Sequence, residues 1–166
     1  MFNIGENVIH KSAGACVIKD IVTDDFGGGL QDYYYLRPKF ENNTNRTLEI
    51  YLPVNKEGEY IRKPLSKEKV EALIDAIPSM ERIWENDARK RRLMFEEIYY
   101  SGDVKGLCQL VKLLYVEQEF FSKPMSITDR NFLNKVKTNI FDEFALALNL
   151  EPKDIEKYIS DQLNIM

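Results

Sequence analysis

Histidine and cysteine are nearly absent from this chain of 166 residues, which holds one His and two Cys. Cys16 and Cys108 lie far apart, the first in a strand-like run and the second on an apolar helix face. A disulfide framework or a metal site needs more thiols, or histidines at ligand spacing. Both cysteines therefore read as buried apolar side chains in a reducing compartment, with no metal and no cofactor. No apolar run approaches the roughly 18 to 20 residues needed to cross a bilayer. The start, Met1-Phe2-Asn3-Ile4-Gly5, has neither a basic stretch nor an apolar core, so a cytoplasmic chain is expected rather than an exported one. Glycine is sparse, and Gly27-Gly28-Gly29 lacks the Lys-Ser/Thr that completes a phosphate-binding loop. His10 sits beside aliphatic residues, and a general base there would need an orienting acid and a nucleophile. It reads as a structural or surface side chain. The carboxylates are scattered among lysines, as on a solvated surface, and no enzyme is expected.

The composition is that of a soluble globular protein, with 44% apolar and 30% charged residues. A net charge of −4 argues against a protein that coats nucleic acid. A mean can conceal a patch, so the distribution of charge matters more than its total.

The chain divides near residue 65. Up to Leu52 it carries short β-branched or alternating runs separated by turn-formers. Val8-Ile9, Ala15 to Val22, Tyr33 to Leu36 and Thr47 to Leu52 are four expected strands, with a fifth near Tyr60-Ile61-Arg62. Ser12-Ala13-Gly14, Asp24 to Gly29 and Glu41 to Asn45 are the expected connections. So few strands must curl to bury one face, which makes a small SH3-like or Tudor-like antiparallel β-barrel the economical solution.

After Pro64 the apolar period becomes helical. Ser66 caps a helix through Val70, Leu73, Ile74 and Ile77, stopped by Pro78. A second helix is expected from about Met80 to Tyr100, ended by Ser101-Gly102. Asp103 caps a third, with Val104, Leu107, Leu110, Val111 and Leu114 on one face. Ser126 with Asp129 resembles a capping box for a fourth through Phe132, Val136, Ile140, Phe144 and Leu148. Pro152 opens a fifth through Ile155, Ile159 and Leu163. The expected architecture is α+β in two domains: 1–65, the small barrel, and 66–166, a compact bundle of about five helices.

The segment that stands out joins Trp84, the one tryptophan, to the basic run Arg89-Lys90-Arg91-Arg92, with Arg82 just before. Read as helix, Trp84 lies one turn from Ala88 and two from Arg91, while four consecutive cations spread round the axis. Taken alone, a Trp near a helix start belongs to the core and a charge run to a solvated face. Against this, Ile77, Met80, Ile83, Leu93, Phe95 and Ile98 already offer core anchors. A basic cluster on an acidic chain also points to a specific anionic partner. An exposed Trp beside arginines can wedge into a duplex minor groove while the cations neutralise phosphates.

These residues resemble the CarD family of bacterial transcription regulators, also called CarD/CdnL-like. The likeness begins with Phe2, Ile4-Gly5-Glu6 and Val8-Ile9-His10, then Gly14-Ala15, Ile18 and Ile21. It continues through Tyr33 and Leu36, Leu48, Ile50, Leu52-Pro53 and Ile61-Arg62. In the second half it rests on Trp84 with its basic run and on Ser101-Gly102-Asp103 ahead of Leu110, Val111 and Leu113. It ends with Phe141, Glu143, Ala145 and Ala147-Leu148. Each motif is weak alone; their order along the chain makes them specific.

The resemblance implies a Tudor-like RNA-polymerase-interacting domain followed by a helical DNA-binding domain. Docking on the polymerase β subunit would proceed by strand addition, with Asp24, Asp25, Phe26, Glu49, Ile50 and Tyr51 at the contact. Trp84, Arg82, Arg89, Lys90, Arg91 and Arg92 would bind promoter DNA at the upstream edge of the bubble and stabilise the open complex. The DNA contact would be weak without polymerase, the protein a monomer, and its place the nucleoid. Five positions depart from the family's pattern. Asp24 and Tyr51 occupy positions that are arginine in some members, and Asn86 one that is basic in some. Lys11 and Ala13 replace a proline and a histidine. The alternative is an interaction adaptor whose basic helix binds an acidic protein and no DNA.

Overall fold

The computed structural model describes residues 1–42, 45–120 and 123–163, without the side chains of 117–120 and 162–163. Asn43 and Thr44 of the expected loop, and the Leu163 side chain, lie outside these. The chain forms two compact units, Met1–Leu65 and Ser66–Met166.

The first unit is an antiparallel sheet of five strands: β1 (Asn7–His10), β2 (Gly14–Asp24), β3 (Gln31–Pro38), β4 (Ile50–Pro53) and β5 (Ile61–Arg62). Their order is β4-β3-β2-β1-β5, so β4 and β5 are the edges. Leu52 from one edge and Ile61 from the other nonetheless share one core with Val8, Cys16, Ile18, Tyr34 and Leu36. A flat sheet cannot bring its two edges into one cluster; this one curls. A bulge between Ile18 and Asp20 in β2 supplies part of the bend. It also resets the inward side: Cys16 and Ile18 face the core before it and Ile21 after it. The short helix α1 (Glu57–Tyr60) leads into β5. Its Glu57 accepts a 2.6 Å hydrogen bond from the buried Tyr34 hydroxyl.

The fourth strand is shorter than its sequence pattern. Thr47, Leu48 and Glu49 lie outside the ladder, because a local turn claims their neighbourhood. The Leu48 amide donates back to Asn45, and the Arg46 amide to Asn42. Asn42 and Asn45 exchange amide-to-side-chain hydrogen bonds, and the Arg37 guanidinium takes the Arg46 carbonyl. Alternation alone does not reveal that competition.

The second unit contains α2 (Lys67–Ala76), α3 (Ala88–Ser101), α4 (Val104–Phe120), α5 (Ile127–Leu148) and α6 (Pro152–Leu163). The start signal at Ser66 and the stop signal at Gly102 act where the sequence places them. Ser66 accepts from the Lys69 amide, and Gly102 closes α3 with φ of 74°, a conformation that glycine adopts without steric cost. Val70, Ile74, Phe95, Leu107, Leu110, Leu133, Val136, Ile140, Phe144 and Ile155 form the buried interior. Leu93, taken above as a core anchor, is 61% exposed. No helix among the described residues is long and apolar enough to cross a membrane.

One expected helix is half absent. Residues 81–87 are irregular, and α3 begins at Ala88. Asp87 is its N-cap, with its side chain accepting the Lys90 amide at 2.9 Å. Trp84 is therefore not on a helix, and its predicted one-turn spacing from Ala88 does not exist.

Candidate functional site

Each unit carries one candidate surface. On the first, β4 is the edge strand beside β3, and the outer face of this pair is aromatic. Register sets Tyr35 opposite Tyr51, and their rings stack at 5.1 Å with 19° between planes. Phe26, from the β2–β3 connection, lies 5.1 Å from Tyr51 and edge-on to Tyr33 at 4.8 Å. Phe26 stays 56% exposed and Tyr51 43%.

Carboxylates frame these rings. Asp25 holds the glycine turn by accepting the Gly27 and Gly29 amides, while Asp24 accepts the Asp25 amide. Glu49 accepts the Tyr35 hydroxyl at 3.0 Å and lies 3.5 Å from Arg37. Partial burial, then the charge of Glu49, pushes the Tyr51 phenol above its ordinary pKa. Of the six residues that the resemblance placed here, Phe26 and Tyr51 touch, Asp24 and Asp25 hold the neighbouring turn, and Ile50 pairs with Leu36. Sequence reasoning missed Tyr33 and Tyr35. Their period-2 spacing was legible, but not which side of β3 packs on the core, nor that Phe26 would cover Tyr33 and Tyr51 stack on Tyr35.

His10 does structural work in this unit. Its Nδ1 accepts the Ser12 and Ala13 amides at 3.3 and 3.2 Å, closing the β1–β2 turn, and its ring stacks on Tyr60. Burial lowers its pKa.

On the second unit the site is built around the irregular segment that carries Trp84. Backbone leaving a helix must find other partners for its carbonyls. Here long side chains supply them. Lys112 on α4 donates to the Pro78 and Met80 carbonyls at 2.8 and 2.6 Å, and Gln109 to that of Glu81 at 3.1 Å. Arg91 on α3 donates to Glu85 and Asn86 at 2.8 and 3.2 Å. Trp84 is held half-buried between these clamps, edge-on to Phe95 at 6.2 Å.

The basic run separates into two classes. Arg82, Arg89, Lys90 and Arg92 are exposed, with Arg92 bonded to Glu96 one turn on at 3.1 Å. Arg91, grouped above with the DNA-binding cations, is instead turned inward and only 8% exposed. Its guanidinium sits 4.3 Å from the Trp84 ring centroid and bonds Asp129 on α5 at 2.8 Å through Nη2 and 3.2 Å through Nε. Asp129 also accepts the Ser126 hydroxyl at 2.8 Å. Ser126 caps α5 as expected, but Asp129 serves Arg91 rather than a reciprocal cap. A buried guanidinium with a carboxylate, two carbonyls and an indole around it positions the tryptophan and is not available to a phosphate.

Burial, with Glu143 and Asp103 nearby, pushes the Cys108 thiol up to about 12, where it is no nucleophile near neutral pH. Among the described residues no cluster of His, Cys, Asp and Glu could hold a metal ion.

No curated protein matches the chain. Residues 2–65 match the family model described as the CarD-like/TRCF RID domain. That span coincides with the first compact unit and covers all five strands, the aromatic face and the β4 edge. Domains of this type interact with the RNA polymerase β subunit. The first unit of this chain is thus similar to the CarD-like/TRCF RID domain.

Proposed function

We propose that this protein is a transcription regulator that acts by binding rather than by turnover. Its first unit docks on the RNA polymerase β subunit along β4, and its second sets Trp84 against the upstream edge of the promoter bubble. The RID match supports the polymerase half of this reading. The observation that carries the DNA half is the way Trp84 is presented. A large aromatic residue on a segment clamped by Lys112, Gln109 and Arg91 keeps one ring edge in the protein. Exposed Arg82, Arg89, Lys90 and Arg92 flank it. A rigid aromatic residue of this kind loses little entropy when it wedges between base pairs, and the cations neutralise the adjoining phosphates.

Two experiments test the halves separately. Trp84→Ala should keep the far-ultraviolet circular dichroism of the wild type yet abolish its effect on open-complex lifetime at a promoter with an unstable bubble. A folded variant with an unchanged lifetime would refute the wedge. In a pull-down with the isolated polymerase β lobe, the pair Phe26→Ala and Tyr51→Ala should each weaken capture about ten-fold, as aromatic anchors at an interface centre do. Trp84→Ala should leave that capture unaltered. An adaptor that binds an acidic protein through Arg89 and Lys90 would instead show no promoter protection at Trp84 in a footprint.

A further inference from the structure

The aromatic cluster at Trp84 does not end with Trp84, and Phe95 and Tyr99 are its buried members. Phe95, edge-on to the indole, stacks on Phe132 of α5 at 5.9 Å and 22°. Phe132 meets Tyr99 at 5.7 Å, and Tyr99 meets Tyr100 at 5.1 Å. Alongside this line of rings, between α3 and α5, runs a groove of about 260 Å³. Phe132 forms the part of its apolar wall that reaches the surface, with the buried Phe95 behind it. Arg92, Thr128, Asn131 and Lys135 form its polar rim. Phe132 is half-buried, whereas Thr128, Asn131 and Lys135 are exposed. Lys135 reaches over the Tyr99 ring, its Nζ 4.9 Å from the centroid. Glu96, bonded to Arg92, and Asp129, bonded to Arg91, also border the groove, so among its charged lining residues Lys135 is the one outside these pairs.

We infer that this groove is a site for one unstacked nucleotide of single-stranded DNA, next to the tryptophan. It rests on the reading above that this face meets promoter DNA. The chemistry is that of a single-strand site: the Phe132 ring against which a base can lie, an amide and a hydroxyl on the rim for its edge, and Lys135 with the exposed basic run of α3 for the phosphates. A base in a duplex has both faces covered by its neighbours, so the aromatic wall offers it nothing. Once a strand is parted at Trp84, its next base has an exposed face and an aromatic wall within reach. Trp84 would then part the strands, and the groove would retain one of the freed bases, which opposes reannealing. The residues that would do this, Asn131, Phe132 and Lys135, lie some forty positions from the basic run and share no motif with it.

The test uses the full chain and the emission of Trp84, its single tryptophan. A single-stranded oligothymidylate of about ten nucleotides should quench Trp84 and bind more tightly than a duplex of equal length. Phe132→Leu, which keeps an apolar side chain but removes the ring, should weaken the single strand about five-fold or more, the loss of one base–aromatic stack. Asn131→Ala, at an exposed position with no folding risk, should weaken it in the same direction. Lys135→Ala should lower the salt dependence of binding by about one phosphate contact. Equal or tighter binding of the duplex, unchanged affinity in Asn131→Ala and Lys135→Ala, or equally tight binding of polyglutamate would each overturn the site. The open-complex measurement separates this failure from that of the reading it rests on. If Trp84→Ala shortens the open complex while the groove variants bind as the wild type does, only the groove falls. If Trp84→Ala leaves the lifetime alone and the single strand still depends on Asn131 and Lys135, the wedge falls and the groove stands.

Discussion

Arg91→Ala is expected to destabilise the helical unit by about 3–5 kcal/mol, the usual cost of breaking a buried ion pair from one side. The substitution leaves the Asp129 carboxylate in a dry site without its guanidinium. It also strips the Glu85 and Asn86 carbonyls of their donor and the Trp84 ring of its cation. For a unit of about 100 residues, such a loss lowers the unfolding midpoint on the order of 15 °C or more. Asp129→Asn should have a comparable effect, because it strands the Arg91 charge. The double variant Arg91→Met with Asp129→Leu should recover much of the loss, since apolar groups of similar volume replace buried ion pairs at little cost. Urea unfolding followed by circular dichroism measures all three. Emission of Trp84 measures local order at the same time, and in Arg91→Ala it should shift to the red as the indole gains water. Single variants within about 1 kcal/mol of the wild type would show that the pair does not clamp the tryptophan segment.

Asp142→Asn should act in the opposite direction, and only above mildly acidic pH. Asp142 is buried on α5, and that burial raises its carboxyl from 3.8 to about 6. A carboxyl raised in the folded state is a penalty on folding when ionised. That penalty is fully present above pH 6 and is relieved as pH falls through 6 towards 3.8. The shift of about two units corresponds to about 3 kcal/mol at neutral pH. Asparagine fills the same space without the charge, so Asp142→Asn should stabilise the unit by about 2–3 kcal/mol at pH 8 and by almost nothing near pH 4. Other carboxylates titrate over the same range. The informative quantity is therefore the difference between variant and wild type at each pH, which removes their common contribution. A difference that does not change between pH 4 and pH 8 would show that Asp142 is ionised at no cost.

Both predictions concern residues whose roles lie outside any sequence motif. Arg91 was one of four consecutive cations, and nothing local distinguishes it from Arg92. Asp142 was one carboxylate among many on an acidic chain.

What the sequence determined by itself was local. Proline and helical periodicity placed the division between Leu65 and Ser66, where one compact unit ends and the other begins. Serine hydroxyls at Ser66 and Ser126 cap the helices they precede, and Gly102 ends α3, because capping and left-handed backbone depend on residues a few positions apart. The strand runs and the curl demanded by so few strands came from alternation and from the number of elements, whereas Phe26 and Tyr51 were placed at the docking edge by the family resemblance.

Tertiary structure decided whatever depends on partners distant in the chain. The helix expected from Met80 exists only from Ala88, because Lys112, Gln109 and Arg91 satisfy the carbonyls of the segment before it and Asp87 caps α3. Arg91 faces inward because Asp129, 38 residues later, is there to receive it. Thr47 to Glu49 leave the ladder because asparagine side chains and Arg37 hold the preceding turn. Hydrogen-bond partners at such separations leave no periodic trace in a sequence. The tryptophan and its cations were visible there, but which cation holds the ring and which face solvent was settled by packing.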